Sequence, residues 1–325
     1  MKRCICSGIL FADVACFPIS HLPSEGELVT TKKIELNLGG CAGNVALNLS
    51  RLGIGNYLSG CVGDDALSDF IVRSVAVPNV DIELQHSLGN CPGTAMHINV
   101  QGEDRRFICT TGANDDYVFD DKLLDIITAP LANNQLKNEK KIFYLGGFFM
   151  LRALENERTP EILKTAQENG WTTLVDVVLY GERNYWDVLK PLLPFTDIFI
   201  PNEHEGEKVS DYRDPYEQAE FFLKAGVKTV IITQGDGGIL YFDGQKQFQT
   251  GVYPVEFVSG SGAGDAFCAG LIAGLLEGLP PDEAIRWGCA QGASCVRGVG
   301  TTEKCFNREE LLAFMQQNEL PIETV

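Results

Sequence analysis

Short β-branched runs alternate with amphipathic segments of helical length through most of this 325-residue chain, and no other feature narrows its fold as far. Asn44–Leu52 reads as a helix, with Val45, Leu47, Leu49 and Leu52 on or near one face. Asn56–Val62 follows as a strand and Asp65–Val75 as a helix. Lys141–Leu145, Thr172–Val177, Thr196–Ile200 and Thr229–Thr233 read as later strands, with helices at Arg158–Asn169, Asn184–Leu192 and Asp214–Ala225 between them. This βαβα order predicts an α/β fold with a doubly wound, mostly parallel sheet. The last third turns helical. The segment 263–277 carries Gly270 and Gly274 one turn apart, bare enough for a neighbour to approach closely, and Pro280-Pro281-Asp282 opens a helix that runs to about Val296.

Two regions break the rhythm. Residues 9–38 and 92–111 read as strands separated by turns, with no helix between them. His97–Val100, a turn at Gln101–Asp104 and Arg106–Cys109 form a hairpin pattern. These pieces can pair into a small second sheet, used either as a lid over a ligand or as an interaction surface. Ala132–Lys140 reads as a surface loop. Without a repeat, a low-complexity segment or a Pro/Ser linker, residues 1–320 read as a single domain.

A hydrophobic fraction of 45% suits a globular protein with a full core. No apolar run approaches the roughly 20 residues that span a bilayer. Met1-Lys2-Arg3 is followed by an apolar stretch broken at Asp13, which reads as a first strand rather than a signal peptide. The net charge of −18 disfavours nucleic acid and anionic membranes as partners. The eleven cysteines include no C-x-x-C pair and most lie in apolar stretches, so they read as reduced core thiols of a cytoplasmic protein.

Five segments carry possible chemistry. In Gly260-Ser261-Gly262-Ala263-Gly264-Asp265, small residues leave backbone N–H groups open where a helix begins, an arrangement that binds phosphate. A carboxylate there repels an anion, unless Asp265 accepts the proton of a hydroxyl that attacks the phosphate. The plain alternative is a Gly/Ser turn with a helix-start acid. Gly39, Gly40 and Asn44 follow a strand and open a helix, either to approach a ligand or with Asn44 as a cap. Asp13, at the end of the first strand, sits where α/β ligands bind or is an ordinary turn residue. Asn202 and Glu205 follow an apolar strand and suit a water-bridged Mg²⁺ or a polar helix start. Thr233, Gly235 and Gly238 end another strand, as a nucleotide contact or a hairpin turn. The P-loop pattern is absent, and no G-x-G-x-x-G follows the first strand.

In this order, with Pro23–Glu27, Gly60–Asp65 and Gly112-Ala113-Asn114, the segments closely resemble the ribokinase-like (PfkB) carbohydrate kinases over nearly the whole chain. The resemblance implies a three-layer α/β sandwich with a β-sheet lid, and transfer of the γ-phosphate of ATP to a hydroxymethyl group of a sugar. A nucleoside acceptor is the alternative within the fold, and a non-catalytic sugar-binding or regulatory relative is the alternative of another class. Asp265 would be the base and the N–H groups of Gly262, Ala263 and Gly264 the phosphoryl cradle. Asp13, Gly39, Gly40, Asn44 and Asp176 would hold the acceptor. Asn202, Thr233, Gly235, Gly238, Cys289 and Gly292 would line the nucleotide site, with Asn202 and Glu205 organising Mg²⁺ through water. Lid sheets in this family often pair, which implies a possible homodimer. Three departures stand out. Ser259-Gly260-Ser261 replaces the frequent Asp-Thr-Thr, which leaves the monovalent-cation requirement open. Cys41 stands where phosphofructokinase-like members tend to have Lys, against a phosphorylated acceptor. Ribokinases have Asn where Phe11 lies and a ribose-binding Glu near Gly147, which argues against ribose itself; Phe11, Phe148 and Phe149 form either an apolar wall for a base or sugar face, or core.

Overall fold

A computed structural model describes residues 3–101, 106–129 and 140–324. The expected turn at 102–104 and most of the expected loop, 132–139, lie outside them. Ten strands form the main sheet, in the order β14-β13-β12-β11-β10-β9-β8-β1-β4-β5. Its parallel part comprises β1 (Cys4–Gly8), β4 (Asn56–Val62), β5 (Val80–His86), β8 (Lys141–Gly146), β9 (Trp171–Val175), β10 (Ile198–Phe199) and β11 (Thr229–Thr233). Three antiparallel strands extend one edge: β12 (Ile239–Phe242), β13 (Gln247–Thr250) and β14 (Ile322–Thr324). Strands β1 and β8 are buried along their whole length, which is why their sequences run apolar without alternation. From β1 the chain winds outward through β4 and β5, and from β8 it winds the other way through β9, β10 and β11. The β1/β8 boundary is therefore the switch point at whose carboxyl edge ligands bind in such sheets.

The lid regions form a separate four-stranded sheet, β3-β2-β6-β7, from β2 (Phe11–Ile19), β3 (Lys33–Gly39), β6 (Gly93–Val100) and β7 (Arg106–Thr110). Asp13 corrects its expected position. It lies inside β2, between Asn37 and Ala95, rather than at the end of a strand of the main sheet. The lid leaves the main sheet directly after β1. Buried Asn114 fixes that departure: its Nδ2 donates to the Leu10 carbonyl (2.9 Å) and its Oδ1 accepts from the Leu10 N–H (2.9 Å).

The helices that matter for the site are α1 (Cys41–Arg51), α6 (Glu203–Ser210), α8 (Ala263–Leu276) and α9 (Pro281–Cys295). Helix α1 starts three residues before the expected Asn44. Its N-cap is Gly40 at φ 86°, so Asn44 is no cap and its carboxamide is free for another partner. Helices α8 and α9 pack closely where a Cβ on Gly270 would collide with the Trp287 carbonyl and one on Gly274 would lie 2.8 Å from Ala284 Cα. Two elements are shorter than expected. Helical structure around Asn184–Leu192 is confined to α5 (Trp186–Leu189). The strand at Thr196–Ile200 keeps ladder bonds only over β10.

Candidate active site

Two acids, an amide and a thiol meet over the switch point. Asp265 sits in the first turn of α8, and Asn44 Nδ2 reaches across from α1 to donate to its Oδ2 at 2.7 Å. The Asp176 carboxylate, just past β9, accepts from the Tyr144 hydroxyl (2.6 Å) and the Gly147 N–H (2.7 Å). One ligand atom each of Cys41, Asp176 and Asp265 falls within 4.8 Å of the others. Burial, followed by the charge of Asp265, pushes the Asp176 carboxyl up to about 7 despite the Tyr144 and Gly147 bonds. Burial also raises Asp265, opposed by the bonds from Asn44 and Cys41. The Cys41 thiol is pushed well up by burial and by the two carboxylates, so it stands as a neutral donor.

Helix α8 begins with Gly262 at φ 76°, a conformation that favours glycine. A Cβ there would also lie 2.5 Å from the Thr301 carbonyl. Gly264 is exposed, and its N–H lies in the first turn, where no carbonyl of the helix can accept it. The Ala263 N–H contacts the Gly260 carbonyl at 3.3 Å, so as a phosphoryl donor it must leave a long turn bond.

From this helix start a cleft of about 920 Å³ runs along the sheet edge. Thr233, Gly235, Gly238, Cys289 and Gly292 all line it, and Ala263 and Gly264 form its end. The hairpin reading of 233–238 is also right, since β11 turns antiparallel into β12 and the turn itself faces the cleft. Val252, Tyr253, Phe257 and Val296 add apolar wall suited to a base. Asn202 is bridged to Thr233 at the strand ends. With Glu205 it forms a reciprocal cap on α6: Asn202 Oδ1 accepts from the Glu205 N–H, and Glu205 Oε2 accepts from the Asn202 N–H, both at 2.9 Å. The helix-start reading of this pair is therefore correct. It leaves Glu205 Oε1 without a hydrogen bond among the described residues, and a hard oxygen of that kind fits a water-bridged Mg²⁺. Burial and the nearby Asp176 and Asp265 push Glu205 up to about 8, the sign of a site short of positive charge.

On the acceptor side the lid supplies Asp13, whose carboxylate lies so close to Gly39 that a Cβ there would collide with it. His97 Nε2 is 3.3 Å from Asp13 Oδ2, and its ring packs edge-on to Phe107. The order of residues along the chain gave no hint of Tyr144 or Thr301. Only the His97–Asp13 pairing had a local signal, since the hairpin pattern puts His97 on an expected lid strand. Phe148 and Phe149 are fully buried and Phe11 is 4% exposed, so all three belong to the core. Of the cysteines, Cys91 and Cys109 are exposed and the expectation of a core thiol fails for them.

An open backbone cradle with an apolar cleft on one side and a desolvated carboxylate on the other defines a phosphotransferase, moving a phosphoryl group from a nucleotide to an alcohol. Residues 1–309 match the pfkB family carbohydrate kinases, and the chain belongs to that family. It is an ATP-dependent sugar kinase. Ribokinase from Arabidopsis thaliana is 24% identical over 308 residues, covering 92% of this chain and 77% of the relative. A 2-dehydro-3-deoxygluconokinase from Bacillus subtilis is 25% identical over 298 residues, covering 89% and 90%. The structure of Arabidopsis ribokinase complexed with ribose and ATP superposes with a TM-score of 0.80 at 23% identity, covering 97% of this chain and 99% of that one. A putative ribokinase II from E. coli in complex with ATP and Mg²⁺ gives 0.75 at 24% identity, covering 98% and 100%. No helix among the described residues is long and apolar enough to cross a membrane.

Proposed function

We propose that the chain phosphorylates a hydroxymethyl group of a neutral sugar, with Asp265 as the base. The hydroxyl proton passes to Asp265 as the oxygen attacks the γ-phosphorus. The bond from that phosphorus to the bridging oxygen breaks, and ADP leaves with its electron pair. The N–H groups of Gly262, Ala263 and Gly264 meet the developing charge, and Asp13, Gly39, Gly40, Asn44 and Asp176 hold the acceptor. Mg²⁺, when bound, neutralises the nucleotide phosphates; Asn202 and Glu205 would hold it through water. ATP lies along the cleft, its base beside Cys289 and Gly292.

The acids around the base carry the acceptor reading. Asp13, Asp176 and Cys41 share its neighbourhood, and a phosphosugar or sugar acid would meet like charge there. Phe148 and Phe149 have no open ring face and so offer no stacking wall for a nucleoside base. The test is ATP turnover with Mg²⁺ on D-ribose, D-fructose, fructose 6-phosphate, 2-dehydro-3-deoxygluconate and adenosine. A neutral sugar should turn over fastest; preference for an anionic acceptor would refute the reading. Asp265→Asn should lower kcat by about 10²–10⁴-fold while ATP binding stays within about twofold. Near-normal turnover would remove Asp265 from the base role.

Two further readings belong here. The lid's outer face presents Leu36, Val14, Met96 and Ile108 in one cross-strand row, with Ile34 and Ile108 more than 60% exposed, which supports pairing of two lids in a homodimer. Eleven free thiols support a reducing, cytoplasmic setting.

A further inference from the structure

Thr301, in the turn after α9, is buried and touches three pieces of the site at once. Its Oγ1 lies 2.7 Å from the Leu38 carbonyl at the end of β3 and 2.9 Å from Asn44 Oδ1. Its backbone carbonyl is the atom that leaves no room for a Cβ at Gly262, the start of the phosphoryl cradle. Asn44 Nδ2 in turn holds Asp265 Oδ2.

From this geometry we infer that Thr301 is a positioning residue for phosphoryl transfer: its hydroxyl sets the Asn44 carboxamide that orients Asp265. The inference rests on Asp265 being the base. Anionic Asp265 only accepts, so Asn44 must turn its NH₂ toward it and its oxygen toward Thr301. Both Asn44 Oδ1 and the Leu38 carbonyl only accept, so in that setting the single Thr301 proton is shared between them. Once Asp265 Oδ2 carries the acceptor's proton, two donors would face each other. Turning the amide over resolves this. Asp265 then donates to Asn44 Oδ1, Asn44 Nδ2 donates to Thr301 Oγ1, and the Thr301 proton goes to Leu38. Each group has a partner in both settings, because a hydroxyl both donates and accepts. A methyl in its place leaves a buried amide atom unpaired in either one.

The other titratable groups facing Asp265 are Cys41 on α1, Asp13 on the lid, Tyr144 on β8, Asp176 after β9, Glu205 on α6, Cys268 on α8 and Cys295 on α9. None of them is a cation, so hydrogen-bond donors must counter their combined effect on the base, Asn44 first and the Cys41 thiol second.

The test compares Thr301→Val with Thr301→Ser. With the fastest sugar of the panel, Thr301→Val should lower kcat by about 10–100-fold, with KM for ATP within about twofold. It should also move the acidic limb of the kcat–pH profile upward by about 0.5–1 unit. Thr301→Ser should restore both to near wild type. Carboxyl ¹³C shifts of aspartate-labelled protein without substrate, assigned with Asp265→Asn, report the same upward shift independently of any acceptor. If Thr301→Val folds poorly, Thr301→Ala must show the same carboxyl shift. A Thr301→Val enzyme with an unmoved limb and unmoved carboxyl shift overturns the inference, as does a loss that Ser does not rescue. An active Asp265→Asn enzyme would instead overturn the reading beneath it, whatever the Thr301 variants do.

Discussion

Replacing Asp176 by Asn should make the protein more stable, and more so as pH rises. The Asp176 carboxyl is pushed from the 3.8 of a free aspartate to about 7, chiefly by burial and secondly by the charge of Asp265. A folded-state value above the unfolded one means that the native chain binds more protons between those limits. Stability therefore falls as pH rises from about 4 and levels off above about 7. At ~1.4 kcal/mol per unit, the raised Asp176 carboxyl costs about 1.5 kcal/mol at pH 5, where it must keep its proton, and about 4 kcal/mol at pH 8, where it is ionised. Asparagine keeps the local bonds: its oxygen accepts from the Gly147 N–H, and its NH₂ donates to the Tyr144 hydroxyl, which changes from donor to acceptor. At ~2 cal/mol/K per residue, the Tm gain should be roughly 2 °C at pH 5 and 6 °C at pH 8. Thermal and urea unfolding of both proteins at the two pH values measure the difference, and the sugar panel should show raised KM for the acceptor. A gain that does not grow with pH, or a variant less stable at pH 8, would refute the assignment of a strained buried carboxylate.

Other outcomes follow from single contacts. Gly270→Ala puts a methyl into the Trp287 backbone and should cost about 1–3 kcal/mol, read as a lower urea midpoint with kcat unchanged in the folded fraction. The Cys295 thiol already lies 3.3 Å from the Ser261 carbonyl and 3.2 Å from the Thr301 carbonyl, so its single proton serves these two oxygens without a bound cation. Exchanging K⁺ for choline should then leave kcat within about twofold, and strong K⁺ activation would contradict this. Sedimentation equilibrium should give a dimer that Ile108→Glu dissociates, and a wild-type monomer would end the lid-pairing reading.

Local chemistry made most of the frame legible. Strands β1 and β8 are buried on both faces, so their apolar runs stand out against the polar turns around them. Asp65 and Asp214 each accept a backbone N–H at a helix start, a signal set within three residues. Where the readings split, both halves often held. Asn202 and Glu205 do cap α6, and the turn at 233–238 does close a hairpin, yet that turn also lines the cleft and Asn202 is bridged to Thr233 beside it. Helix termini and strand ends are where backbone groups go unpaired, so residues that satisfy them also stand where a ligand would.

The Asp265 environment was not legible in this way, because it is made of contacts far apart in the chain. Asn44 reaches Asp265 across 221 positions, and Thr301 reaches Asn44 across 257. Taken locally, Asn44 looks like a cap because it follows paired glycines. The helix starts earlier only because Gly40 takes the left-handed turn against the Ile9 and Leu10 backbone. That shift frees a carboxamide three residues into α1, one turn from where a cap would have consumed it. The same backbone turn brings Gly39 under Asp13, so the lid acid and the amide are set by one pair of glycines. A side chain at Gly39 would collide with the Asp13 carboxylate, and one at Gly40 would move the start of α1 and with it the Asn44 partner of Asp265. On the proposed mechanism the paired glycines would therefore act on both substrate holding and proton transfer, although neither of them contributes a side chain to the chemistry.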